Sequence, residues 1–89
     1  MINREIKIVN KLGLHARAAA KFVTMASQYN SDVKLVLNGQ RVNGKSIMGV
    51  MMLAASQGTE LTLITDGEDE SSAMEALNEL IGNRFGEEE

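Results

Sequence analysis

The chain contains no cysteine, which excludes a disulfide framework and any thiolate metal site and leaves stability to packing and hydrogen bonds. That usage suits a cytoplasmic protein. Aromatic residues are nearly as scarce, with Phe22, Tyr29 and Phe85 the only three. Since 44% of the 89 residues are apolar, the core must be assembled from Ile, Leu, Val, Met and Ala. No apolar run approaches the roughly 20 residues that span a bilayer; the longest is Ile47 to Ala55. The opening Met1-Ile2-Asn3-Arg4-Glu5 lacks the basic and then apolar plan of a signal peptide, so neither export nor membrane insertion is expected. Clusters of arginine and lysine are also missing. With a net charge of −3 this removes the electrostatic footprint of phosphate-backbone binding, and nucleic acid is not an expected partner. One histidine and no cysteine supply no metal-ligand set, and no cofactor is implied. The length fits one domain over residues 1–89, and Glu87-Glu88-Glu89 reads as a solvated tail.

What is present falls into a regular order. Ile6 and Ile8 alternate with Glu5 and Lys7, the period of a half-buried strand. Asn10-Lys11-Leu12-Gly13 reads as loop, after which Ala19, Phe22, Val23 and Ala26 recur at helical spacing and predict a helix over Ala16 to Ser27. Val33, Leu35 and Leu37 mark a second strand. Asn38-Gly39 favours the positive φ angles of a two-residue hairpin turn, with Gln40 to Asn43 as the returning strand. A short helix begins near Ser46. Leu61 and Leu63 mark a fourth strand, and Ala73, Leu77, Leu80 and Ile81 define a last helix with Asp69 as its candidate cap. The order βαββαβα predicts an α+β fold: a two-layer open-faced sandwich, with three helices on one face of a four-stranded antiparallel sheet and the other face exposed.

His15 is the only histidine, placed where a glycine-containing loop meets the start of a helix and followed two residues later by Arg17. Imidazole is a nucleophile available near neutral pH, its unperturbed pKa being about 6.5. Free N–H groups of a first helical turn stabilise an anion, and Arg17 offers a permanently charged fork for phosphate oxygens. Together they suit a phosphoryl group carried on a ring nitrogen, whereas a lone surface histidine near a helix start would have no such role.

Asn10-Lys11-Leu12-Gly13-Leu14-His15-Ala16-Arg17 resembles the active-site segment of HPr, the histidine phosphocarrier family of the bacterial phosphoenolpyruvate phosphotransferase system. Asn38-Gly39, Gly44-Lys45-Ser46-Ile47, Gln57-Gly58-Thr59 and Gly67-Glu68-Asp69-Glu70 also look like family segments at family spacing, so the resemblance spans nearly the whole chain. It implies that phosphorylated enzyme I modifies His15 on Nδ1, that the group passes to a histidine of an enzyme IIA, and that Arg17 with the N–H groups of Ala16 and Arg17 steadies the phosphate. One position departs from the family: Ala18 stands where proline is usual. Proline pre-sets φ in the first turn, so alanine should cost roughly 0.4–1 kcal/mol through unfolded-state entropy and relax the phosphate site.

The short second helix carries a clue that does not depend on the family. At about 100° per residue, Val50, Leu53 and Ala54 share one side while Ile47, Met48, Met51 and Met52 spread over the other. Exposed apolar arcs mark interfaces, and methionines adapt to more than one partner. By resemblance, Ile47, Met48 and Met51, with Ala20 and Thr24 of the first helix, meet both donor and acceptor proteins. Ser46 reads as an N-cap, and also resembles the serine that HPr kinase/phosphorylase modifies in some bacteria. The expected protein is thus a monomeric phosphocarrier and not a stand-alone enzyme, since no acid–base pair or nucleotide loop accompanies His15. The alternative is a regulatory adaptor of the same fold acting mainly through its methionine patch.

Overall fold

The computed structural model describes all residues from Met1 to Glu89. The alternation around Ile6 begins earlier than its apolar residues indicate, and β1 runs from Ile2 to Lys7. It is followed by α1 (Ala16–Ala26), β2 (Asp32–Leu37), β3 (Gln40–Asn43), α2 (Ile47–Met52), β4 (Glu60–Asp66) and α3 (Glu70–Gly82). A single 3-10 turn over Arg84–Gly86 comes after α3. The strands form one antiparallel sheet in the order β1-β4-β2-β3, with the last strand in the chain inserted between the first two.

Register follows the hydrophobic pattern. Ile6 lies opposite Leu61, and Leu63 is flanked by Arg4 and Leu35; because side chains alternate along a strand, these occupy one face. That face buries Ile6, Leu35, Leu61 and Leu63 in a common core with Ala18, Ala19 and Phe22 of α1 and Leu77 and Ile81 of α3. The opposite face carries Glu5, Thr62, Val36 and Arg41 in a row, with the Thr62 hydroxyl donating to Glu5 at 2.7 Å. Its apolar Ile64 is covered between Asn3 and Lys34 and only 9% exposed. The hairpin turn is the predicted one: Asn38 and Gly39 have φ of 51° and 82°, the pair of positive values a type I′ turn requires.

Three local expectations are corrected. The buried stripe of α1 is Ala18, Ala19, Phe22 and Ala26, with Val23 only half-buried. In the second helix Val50 and Leu53 are buried, but α2 ends at Met52 and Ala54 takes a left-handed φ of 51°. That residue turns the chain outward, so Ala54 is exposed and Ala55 is buried in its place. Asp69 stands at the N-cap position of α3 yet makes no cap bond. Its carboxylate instead accepts from the Asn30 and Ser31 N–H groups at 2.8 and 2.9 Å and from the Ser31 hydroxyl. The residue thereby ties the loop after α1 to the loop before α3. The Ser31 hydroxyl first, and then the Asn30 N–H, hold the Asp69 carboxyl below its usual range. The reach back from the first turn of α3 is made by Glu70, whose carboxylate accepts from Gly67 N–H at 3.0 Å.

Both phenylalanines are wholly buried, and Phe85 arrives from beyond the last long helix. Arg84, Phe85 and Gly86 have consecutive φ values of 58°, 55° and 78°, so the chain reverses through a left-handed turn. The left-handed conformation costs about 1–2 kcal/mol per non-glycine residue. Burying a phenylalanine contributes about 1.5–3 kcal/mol and offsets much of that cost. Lys21 of α1 fixes the turn by donating to the Phe85 carbonyl at 2.7 Å.

Candidate functional site

The loop that delivers His15 is held by its glycine. Gly13 has a φ of +67°, and a Cβ there would stand 2.4 Å from the Ala55 carbonyl oxygen and 2.8 Å from Ser56 Cα. Only glycine tolerates both the conformation and the approach. Leu14 N–H donates to that same Ala55 carbonyl at 2.8 Å, and the Leu14 side chain is buried. His15 is therefore presented from a fixed support.

His15 is the N-cap of α1, with extended backbone (φ −72°, ψ 177°) and no side-chain cap bond. Its carbonyl accepts the first helical bond, from Ala19 N–H at 2.8 Å. The N–H groups of Ala16, Arg17 and Ala18 precede the ladder and remain available, with the positive end of the helix dipole behind them. Arg17 is exposed and forms none of the ion pairs of the structure. Together with Lys11 and Lys21 it lines a cleft of about 500 Å³ that Glu87, Glu88 and Glu89 border from the other side.

That border corrects the reading of the C-terminal glutamates as a solvated tail at Glu87, while Glu88 and Glu89 stay exposed. The left-handed turn at Arg84–Gly86 brings the chain back to α1, where the Glu87 carboxylate contacts Nε2 of His15. The His15 and Glu87 side chains are 27% and 12% exposed. The second carboxylate oxygen accepts from Nδ2 of Asn10 at 2.9 Å, and the same amide donates to the Gly13 carbonyl at 2.8 Å. Asn10 is fully buried. Its amide above all holds the Glu87 carboxyl below the usual glutamate range; burial, the next largest effect, opposes this, and His15 adds to the lowering. Farther along, Lys11 N–H donates to the Glu89 carbonyl at 2.9 Å and Lys11 Nζ pairs with the Glu89 carboxylate at 3.3 Å. Nothing in the run of glutamates itself indicates this docking. The available signal is Phe85, an aromatic residue stranded among polar ones after a helix has ended, which in a chain so poor in aromatics implies that the segment returns to the core.

The second helix divides as its periodicity predicts on the outer side. Ile47, Met48, Met51 and Met52 are 43, 72, 39 and 66% exposed, and Leu12 in the histidine loop is 68% exposed. The helix packs beside α1, where Thr24 is exposed and Ala20 half-buried. Ser46 caps α2, its hydroxyl accepting from Gly49 N–H at 3.1 Å. Its half-buried side chain adjoins the exposed Ile47.

This arrangement has known counterparts. Residues 2–83 match the family described as the PTS HPr component phosphorylation site. The chain is 58% identical to the phosphocarrier protein HPr of Neisseria meningitidis serogroup A, over 89 residues and the full length of both. It is 60% identical to that of Pseudomonas aeruginosa over 86 residues, 96% of each chain. A crystal structure of HPr from Thermoanaerobacter tengcongensis superposes with a TM-score of 0.96 at 47% identity, covering all of both chains. The fold, the histidine loop and these full-length likenesses agree, and the chain belongs to the HPr family of the phosphotransferase system.

Proposed function

We propose that this protein accepts a phosphoryl group from phosphorylated enzyme I on Nδ1 of His15 and passes it to an enzyme IIA, acting as a monomeric cytoplasmic carrier and not as a stand-alone enzyme. The observation that carries the reading is an imidazole with one nitrogen engaged by Glu87 and the other unpartnered, at the open first turn of α1 beside an unpaired Arg17. The N–H groups of Ala16 and Arg17 and the Arg17 guanidinium suit three phosphate oxygens. Met48, Met51 and Ile47, with Ala20 and Thr24, supply an apolar docking face that serves donor and acceptor in turn. Ser46, at the edge of that face, is the proposed regulatory site, open to an HPr kinase/phosphorylase.

The test is incubation with phosphoenolpyruvate and enzyme I, followed by mass spectrometry for an acid-labile, base-stable phosphate. One phosphate on the native chain and none on His15→Ala is expected. Labelling of His15→Ala by enzyme I would remove the assignment, and an unlabelled native chain would favour an adaptor acting through the methionine face.

A further inference from the structure

The Glu87 carboxylate touches the reactive ring on the side away from its free nitrogen, and it is itself fixed. One oxygen meets His15 Nε2 and the other accepts from the buried Asn10 amide. We propose that Glu87 is a positioning residue for phosphoryl transfer, holding the proton on Nε2 so that the lone pair stands on Nδ1. The inference rests on the phosphocarrier reading above.

A carboxylate held in its ionised form only accepts hydrogen bonds, so the nitrogen facing it carries the hydrogen, and in a neutral imidazole the other nitrogen is then bare. The same logic orients histidine bases in hydrolytic triads and histidine ligands at metals, where a carboxylate behind the ring sets the tautomer. Three features keep Glu87 in place independently of His15. Phe85 is buried two residues earlier, Lys21 holds the Phe85 carbonyl, and Asn10 anchors the carboxylate from a loop that Gly13 locks. A carboxylate on a loose tail would not restrict the ring.

In the transfer step, the Nδ1 lone pair forms the N–P bond as the donor's bond to phosphorus breaks and its electron pair returns to the donor. The proton on Nε2 stays, so the ring acquires one positive charge, which faces Glu87. When the group moves on, the N–P pair returns to Nδ1 and the ring is neutral again. Glu87 thus favours acceptance, by exposing the lone pair, and supports release, by keeping Nε2 protonated in the phosphorylated state. Arg17 and the helix N–H groups act on the phosphate, and Glu87 acts on the ring.

The experiment compares the native chain with Glu87→Ala and Glu87→Gln, the latter preserving shape and folding. Ring ¹⁵N resonances would be recorded at about pH 8.5, where free imidazole is neutral, and single-turnover phosphorylation would be followed over a range of enzyme I concentrations. The native ring is expected to be wholly Nε2-protonated and the Glu87→Ala ring a mixture of tautomers. Acceptance at saturating enzyme I should fall roughly 10-fold in Glu87→Ala and less in Glu87→Gln, with half-saturation unchanged in both. A native rate in Glu87→Ala overturns the proposal, as does a slowed rate with an unaltered tautomer or a change confined to half-saturation. If the native chain itself takes no phosphate, it is the phosphocarrier reading that fails.

Discussion

The Asn10 side chain donates to the Glu87 carboxylate at 2.9 Å across 77 residues of sequence, joining the two ends of the fold immediately behind His15. Asn10→Ala should therefore loosen the C-terminal segment as well as the histidine loop. The substitution removes one buried and one partly buried donor contact and should cost about 1–3 kcal/mol, which in a domain of this size lowers Tm by roughly 4–8 °C per kcal/mol. The Asn10 side-chain amide oxygen, Oδ1, is buried without a partner, and its removal brings the expected loss toward the lower end. Because Asn10 is the main cause of the depressed Glu87 pKa, that pKa should rise in the variant. Thermal unfolding and a carboxyl ¹³C titration measure the two effects, and an unmoved Glu87 titration would show that the contact is not maintained in solution.

Asp69 gives a pH dependence with a definite sign. Its carboxyl is held below its ordinary value of 3.8 by Ser31 and Asn30, so its stabilising contribution is complete above that ordinary value and is lost as pH falls through the depressed one. Asp69→Asn should melt at a lower temperature than the native chain at neutral pH, and the gap should close as the solution is acidified below pH 3.8. A gap that is constant with pH would indicate packing and not charge.

On α2 the two sides of the helix should separate binding from stability. Val50 is fully buried and Met48 is 72% exposed. Val50→Ala should cost about 2 kcal/mol, whereas Met48→Asp should barely change Tm yet weaken affinity for enzyme I. A Met48→Asp variant that unfolds readily but binds normally would assign this side to the core.

Ser46→Asp keeps a capping oxygen at the start of α2 and places a charge where the helix dipole favours it, so stability should be unchanged or rise by ~0.3–1 kcal/mol. The same charge borders Ile47 and Met48, and a partner covering that surface would have to desolvate it. Phosphorylation of His15 by enzyme I should slow through weaker docking. Equal affinity, measured by titration beside a melting curve, would leave Ser46 as a cap only.

Ala18→Pro tests the departure from the family. The N–H of Ala18 precedes the first helical bond, which is made by Ala19, so proline removes nothing from the ladder and restricts the unfolded chain. Stability should rise by ~0.4–1 kcal/mol. Since Ala18 is wholly buried, a fall in Tm would mean that the surrounding core has no room for the ring.

Much of this fold was legible in the sequence because its signals are local: alternation in the strands, Asn38-Gly39 at the hairpin, and a serine ahead of α2. The placement of His15 and Arg17 at one loop-to-helix junction was legible for the same reason, since they stand two residues apart. Asp69 was misread because a cap signature describes only the nearest helix, and the groups that won its carboxylate, Asn30 and Ser31, lie on the other side of the chain. Glu87 escaped for a related reason. Its partners are at positions 10 and 15, and the turn that brings them together depends on left-handed φ values at Arg84 and Phe85 that neither residue type advertises.

The left-handed turn at Arg84–Gly86 also bears on how the protein is handled. It carries the chain end to the mouth of the cleft, where Lys11 binds Glu89 through both backbone and side chain. Any affinity tag or fusion joined after Glu89 would be delivered there, crowding Arg17 and competing for Lys11. Measurements on such a product would describe an altered site. A tag at the other end would disturb only the pairing of the Met1 ammonium with Glu70 and Asp66, and is the better place for a purification handle.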